Sequence, residues 1–131
     1  MREGREPGLV AYGDGEPVGW VSVGPRGDFP RQQRSPVVAP PDDTPGVWTV
    51  NCFWIRKDRR AQGVAQELLR AATEHAIERG ATAIDGIPID PAARAKAADA
   101  YTGVVAMFES EGYVGLARRK PKGRVIMRRT P

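Results

Sequence analysis

With 131 residues the chain has the length of one domain, residues 1–131, with room for a single two-layer core. Forty per cent apolar and 27 per cent charged residues are ordinary for a globular protein, and no apolar run approaches the ~18 residues of a membrane span. The first seven residues, Met1 to Pro7, are polar and lack the apolar stretch of a signal peptide, so a cytoplasmic location is expected. Cys52 is the only cysteine and His75 the only histidine. An intramolecular disulfide is thereby excluded, and no zinc or other metal site is expected. Cys52 sits in an apolar run and reads as a small core residue rather than a nucleophile.

Leu9–Tyr12 and Val18–Val23 flank a Gly/Asp/Pro-rich segment and read as an antiparallel hairpin. Pro25 to Gly46 carries six prolines. Proline removes backbone donors and fixes φ, so neither regular helix nor an inner strand is expected there. A loop of that length is either a functional cover, here with Arg26, Arg31 and Arg34, or a connector. Val47–Ile55 is apolar at both alternating sets of positions, the pattern of a central strand buried on both faces.

From Gly63 the period changes. Val64, Leu68, Ala72 and Ala76 recur every fourth residue beside Ala65 and Leu69, which predicts an amphipathic helix packed on a sheet and ended by Gly80. His75 reads as a surface residue of this helix. Thr82–Ile87 reads as a strand parallel to Val47–Ile55, because a helix joins the two. Ala92–Ala100 is alanine-rich without a large apolar face. Gly103–Glu111 reads as a second helix with Val104, Val105, Met107 and Phe108 inward. Tyr113–Ala117 and Arg124–Arg128 then form a predicted hairpin.

After Glu111 the chain has no acids but seven cations, Arg118 to Arg129. They read as a solvated pair of edge strands whose charges block edge-to-edge pairing. The sharper reading, a nucleic-acid patch, has neither a recognition helix nor interleaved aromatic residues to support it.

A strand, then a glycine turn, then a helix N-terminus aims several backbone N–H groups one way, a seat for a phosphate or pyrophosphate. Arg59 and Arg60 on the approach add charge. No Lys-Ser or Lys-Thr follows the glycine, so this is not a nucleotide-hydrolysing P-loop. The Gly-x-Gly-x-x-Gly spacing of a dinucleotide site is also absent.

The pattern resembles the acetyl-CoA signature of the GNAT superfamily of N-acetyltransferases: Arg or Gln, two residues, Gly, one residue, then Gly or Ala. Arg60, Gly63 and Ala65 fill it. Phe53-Trp54-Ile55 upstream, Leu68-Leu69 downstream, and the run Ala106 to Tyr113 with its Gly112-Tyr113 ending extend the resemblance over residues 9 to 129. It implies an α/β (α+β) fold: a mixed, mostly antiparallel central sheet with a parallel splayed strand pair and flanking helices. It further implies that acetyl-CoA is the acetyl donor and that no metal takes part. Arg60, Ala61, Gln62, Gly63, Val64, Ala65 and Gln66 would hold its pyrophosphate. Backbone groups of Phe53, Trp54 and Ile55 would pair with the pantetheine arm. The activity implied is attack by a primary amine of an unidentified acceptor on the thioester; the alternative is a weak or inactive acyl-CoA-binding regulatory module.

Two departures from the family accompany the match. The usual general acid, a tyrosine, falls at Phe108, which has no proton to donate. Tyr101, about two helical turns earlier, either substitutes or packs as a structural phenol beside the cofactor. For a base the candidates are Asp85 and, behind it, Asp90, each equally readable as an ordinary carboxylate at a strand end. The second departure concerns the strand and two helices with which the family begins and which build one wall of the acceptor site. This sequence starts at what corresponds to the second strand. Its outer hairpin strand would be an open edge, which favours pairing in a homodimer.

Overall fold

Strand pairing organises the chain into one six-stranded sheet, seen in a computed structural model that describes residues 8–36, 38–60, 62–89, 103–118 and 124–131. The strands are β1 (Leu9–Gly13), β2 (Glu16–Pro25), β3 (Val47–Ile55), β4 (Ala83–Gly86), β5 (Val114–Ala117) and β6 (Ile126–Arg129), in the order β1-β2-β3-β4-β6-β5. All neighbours are antiparallel except β3 and β4, which are parallel and joined through a helix. The sheet is thus mixed, with one parallel pair, as the sequence pattern led one to expect. The helices are α1 (Pro30–Gln33), α2 (Val64–Glu78) and α3 (Val105–Ser110).

One face of the sheet carries the apolar core. Leu68, Leu69, Ala72 and Ala76 of α2 pack on Val21, Val23, Val50 and Ile84, and Phe108 of α3 joins them. The period-four spacing of α2 therefore does what amphipathic spacing does: it lays one apolar stripe on the sheet. The helix ends where Gly80 takes a φ of 88°, a left-handed conformation that glycine adopts without a Cβ penalty.

The opposite face is differently covered and buries polar groups beside apolar ones such as Val47 and Ala83. Ser22, Thr49 and Asp85 are buried there, beneath the segment between β2 and β3. Strand alternation puts Thr49 and Asp85, paired across β3 and β4, on the side away from Ile84. Contrary to expectation, the proline-rich segment does hold regular structure, a 3-10 turn (Arg26–Asp28) and the single helical turn α1. Pro30 occupies the first turn of α1, where a missing N–H costs no hydrogen bond.

Two close packings fix the core. A Cβ placed on Gly86 would lie 2.1 Å from Cε2 of Phe108, so the ring occupies the space that a side chain on β4 would need. Phe108 stacks edge-on against both Phe53 and Tyr113, with ring centroids 6.3 and 5.0 Å away. Tyr113 is buried, and its hydroxyl lies 2.7 Å from the Thr73 hydroxyl, which donates to the Leu69 carbonyl at 2.8 Å. Burial pushes the Tyr113 phenol up to about 12.

Gly86→Ala is expected to lower stability by about 1–3 kcal/mol through overpacking, and Phe108→Leu in the same chain should recover part of that loss. Urea midpoints of the two single variants and the double variant measure it; additive losses would disprove the contact. Tyr113 makes a second prediction. The folded chain holds the phenolic proton more tightly than the unfolded chain, so its contribution is intact below pH 10 and lost as pH rises through about 12. Tyr113→Phe should remove that part of the alkaline decline in unfolding free energy.

Candidate functional site

The site begins with an irregularity in β3. Val21 pairs with Phe53 and Val23 with Val50, so β3 spends one more residue than β2 over the same span. An extra residue of this kind is a β-bulge, which bends its strand and resets the alternation of side chains. Val50 and Phe53 consequently both face the helices. Trp54, next along, is half-exposed. The bulge also falls where β3 parts from β4: the parallel pairing ends at Val50 and Gly86. Beyond it, Asn51–Ile55 pairs only with β2, while Ile89 bridges to Val104 and Arg124. A gap opens between the two parallel strands.

At the end of β3 the chain makes a 3-10 turn (Lys57–Arg59), extends at Arg60, and enters α2 through Gly63. Gly63 has φ 81° and ψ 4° and offers no side chain to cap the helix. The first intrahelical bond runs from Glu67 N–H to the Gly63 carbonyl at 3.1 Å. The amides of Val64, Ala65 and Gln66 are therefore first-turn groups without a side-chain cap, at the positive end of a four-turn helix. A Cβ at Gly63 would meet nothing within 4 Å, so the glycine serves the backbone conformation and not a close contact.

Beside this turn lies a cavity of about 290 Å³, lined by Ile55, Arg59, Arg60, Gly63, Val64, Ala65, Gln66 and Met107. Uncapped amides, two arginines and an apolar wall suit a ligand with an anionic group and an apolar arm. Arg59 donates to the Asp14 carboxylate at 3.0 Å, a pair exposed enough to exchange readily for another anion. Arg60 Nε donates to the Ile55 carbonyl at 3.4 Å, and Gln62 donates to the Asp58 carbonyl at 3.1 Å. Gln66 reaches across to Ser110 and Glu111, both at 2.9 Å, and Arg70 forks onto the same Glu111 carboxylate. The Arg70 guanidinium, then Gln66, holds the Glu111 carboxyl below its usual range. This brace ties α2 to the end of α3 beside the cavity. Neither the brace nor the place of Met107 in the lining was foreseen from the sequence.

Of the residues expected in the site, Ile55, Arg60, Gly63, Val64, Ala65 and Gln66 line one cavity. The side chain of Phe53 is in the core, and that of Trp54 is on the far face, so both could meet a ligand here only through their backbone. Ala61, Asp90, Tyr101 and the stretch 92–100 lie outside the described residues. Phe108 is fully buried against Gly86 and has no proton to donate.

Asp85 is not poised as a base. It is 3% exposed, and Arg128 grips both of its oxygens, Nε at 2.6 Å and Nη2 at 3.0 Å, with Arg26 adding a third contact at 3.3 Å. A carboxylate that accepts three guanidinium hydrogen bonds at this depth serves as an anchor for charge. For Arg128, the reading of the C-terminal cations as solvated edge charges is corrected at the same point. Arg128 lies on β6, an inner strand, and is largely buried in this ion cluster. His75 is partly buried rather than a plain surface residue, its ring edge-on to Trp48 at 5.8 Å. Cys52 is half-buried, and burial pushes its thiol up, away from the reactive thiolate. Among the described residues no cluster of three His, Cys, Asp or Glu could hold a metal ion, and no helix is long and apolar enough to cross a membrane.

The acetyltransferase (GNAT) family model matches residues 1–103, and the chain belongs to that family. Among solved structures it is similar to a ribosomal-protein-alanine N-acetyltransferase from Brucella melitensis, at 18% identity and a TM-score of 0.61, over 93% of this chain and 67% of that one. A nourseothricin acetyltransferase superposes at 21% identity and a TM-score of 0.56, over 92% of this chain and 62% of that one. These likenesses establish the fold, and the chain spans roughly two thirds of the length of either neighbour. No curated protein matches the chain.

Gly63→Ala and Gly80→Ala should each cost about 1–2 kcal/mol, because both positions are left-handed and open. Denaturant midpoints check this; a neutral Gly63→Ala would show that the turn does not need its glycine.

Proposed function

We propose that the protein transfers an acetyl group from acetyl-CoA to a primary amine of an acceptor by direct attack on the thioester. The observation that carries this is the pairing of an uncapped, left-handed glycine turn with the gap that opens beside Asn51–Ile55. In this reading the amides of Gly63 to Gln66 receive the pyrophosphate, with Arg59 and Arg60 adding charge. The cavity wall of Ile55 and Met107 receives the start of the pantetheine arm.

Backbone groups of Phe53 to Ile55 then hold the arm as an added strand, because β4 has turned away from that edge. An N–H on the same edge polarises the thioester carbonyl as negative charge develops on its oxygen. The amine nitrogen forms the new C–N bond, the C–S bond breaks, and the CoA thiolate departs. Orientation of the two reactants supplies much of the acceleration. The proton lost by the amine goes to water or to a base outside the Asp85 cluster, since that carboxylate is already enclosed. Tyr101 is the phenol assigned to the thiolate in this reading. A cytoplasmic enzyme whose copies pair along β1, the outer strand of the described sheet, completes it.

Phe108 favours the other reading, an acyl-CoA-binding module of little activity, because the family's acid position is sealed in the core. Calorimetry with acetyl-CoA and desulfo-CoA tests the shared part: binding is expected, and none at millimolar concentration would refute both. Gly63→Ala should weaken acetyl-CoA binding about tenfold or more, whereas Gly80→Ala, with a similar stability cost, should leave it unchanged. Free-thiol release over a panel of primary amines separates the two readings. Release above background identifies the enzyme, and its loss in Tyr101→Phe would support the phenol; a flat response identifies the binding module.

A further inference from the structure

On the polar face of the sheet, four charged groups from four parts of the chain meet. Asp85 comes from β4, Arg128 from β6, Arg26 from the turn after β2, and Asp42 from the segment before β3. Both arginines contact both aspartates. Arg128 donates to Asp42 through Nη1 at 2.8 Å and Nη2 at 3.1 Å; Arg26 donates to the Asp42 carbonyl at 2.9 Å and to its carboxylate at 3.3 Å.

The two carboxylates are not equivalent. The Asp85 side chain is 5% exposed and belongs to the sheet, while the Asp42 side chain is 36% exposed and reachable from solvent. The arginines carry two positive charges and Asp85 cancels one, so a second anion is required by charge balance. Asp42 supplies it from a segment with little apolar anchorage. Among the described residues from Pro25 to Gly46 none is buried, and the 3-10 turn and α1 contribute no buried side chain. Besides the ion cluster, polar contacts tether it: Asn51 donates to Gln32 at 2.6 Å, and Thr82 donates to the Pro45 carbonyl at 2.6 Å. One donor of the cluster is also left over, since Arg26 Nε is buried without a hydrogen-bond partner.

We infer that Arg26 and Arg128, seated on Asp85, form a carboxylate-binding site on the acceptor face of the sheet, and that Asp42 occupies it as an internal ligand in the free protein. A carboxylate is favoured over a tetrahedral anion because the occupant being replaced is a carboxylate, gripped by the two terminal nitrogens of one planar guanidinium. An incoming carboxylate takes the place of Asp42, and a second acceptor atom on the ligand can meet the Arg26 Nε–H. The carboxylate is borne either by the amine acceptor itself, an assignment that rests on the acetyl-transfer reading, or by a separate small acid.

The test is titration of succinate and of inorganic phosphate into the wild-type chain, Asp42→Asn, and Asp42→Asn with Arg26→Gln, by calorimetry at low salt and without acetyl-CoA. Asp42→Asn should bind succinate about tenfold or more tightly than wild type, the gain from removing an intramolecular competitor. Arg26→Gln should abolish that gain. No tightening, or phosphate held more tightly than succinate, would overturn the carboxylate site. If Asp42→Asn does not fold, the Nε–H resonance of Arg26 in the wild-type chain takes its place, shifting with succinate if the site exists and standing still if it does not. These measurements do not depend on acetyl-CoA binding, so they can succeed where the acetyl-transfer reading fails, and the reverse. The source of the carboxylate is read from thiol release. A lower KM in Asp42→Asn confined to carboxylate-bearing amines assigns it to the acceptor, and a response of all amines to added succinate assigns it to a separate acid.

Discussion

One extra residue in β3, between Val50 and Phe53, is the constraint on which the rest of the site depends. A strand of the same sequence without the bulge would alternate strictly, and Val50 and Phe53, three apart, would point to opposite faces. With it, both enter the core, and the apolar wall that α2 needs continues to the end of the strand. A bulge also bends its own strand, and this one lies where the pairing with β4 ends. Parallel pairing stops there, and the edge from Asn51 to Ile55 becomes available to a ligand that can hydrogen-bond like a strand. Core closure and the opening of the gap are thus two results of one local insertion.

The gap stays open because its far side is held independently. Phe108 fills the space above Gly86, and its contacts with Phe53 and Tyr113 lock α3 over the end of β4. The Glu111 brace to Gln66 and Arg70 then fixes α3 against α2. Rigid support of this kind suits a binding cleft, whose worth lies in being formed before the ligand arrives. It also removes Phe108 from any part in proton transfer, so acid–base chemistry must be sought elsewhere.

Much of this was legible in the sequence. Period-four spacing identified α2, alternating runs identified the hairpins, and the apolar β3 was read as central, because each of these signals is local. The glycine turn was legible for the same reason: strand, glycine and helix are consecutive. What escaped notice needs a partner to be seen. The bulge exists only relative to β2. The grip of Arg128 on Asp85 and Asp42 spans sequence separations of 43 and 86, which no local pattern encodes. Within the proline-rich segment the error had a different cause. Proline breaks a helix interior, yet Pro30 stands in the first turn of α1, the one part of a helix where its missing N–H is harmless.

The sheet divides the molecule into two chemically distinct halves, and the division bears on how an amine could be acetylated here. On one side, apolar burial by α2 and α3 fixes the cavity and the anion seat. On the other, Thr49, Asn51, Asp85 and the two arginines form a polar floor under a segment tied down by hydrogen bonds and ion pairs. Burial of carbon gives the helical half its permanence, since nothing in water competes for it. On the other half the contacts made by Asp42 lie near the surface and have the opposite property, because water and other anions compete for them. A rigid cavity on one face and an exchangeable cover on the other follow from that difference in the forces holding each side.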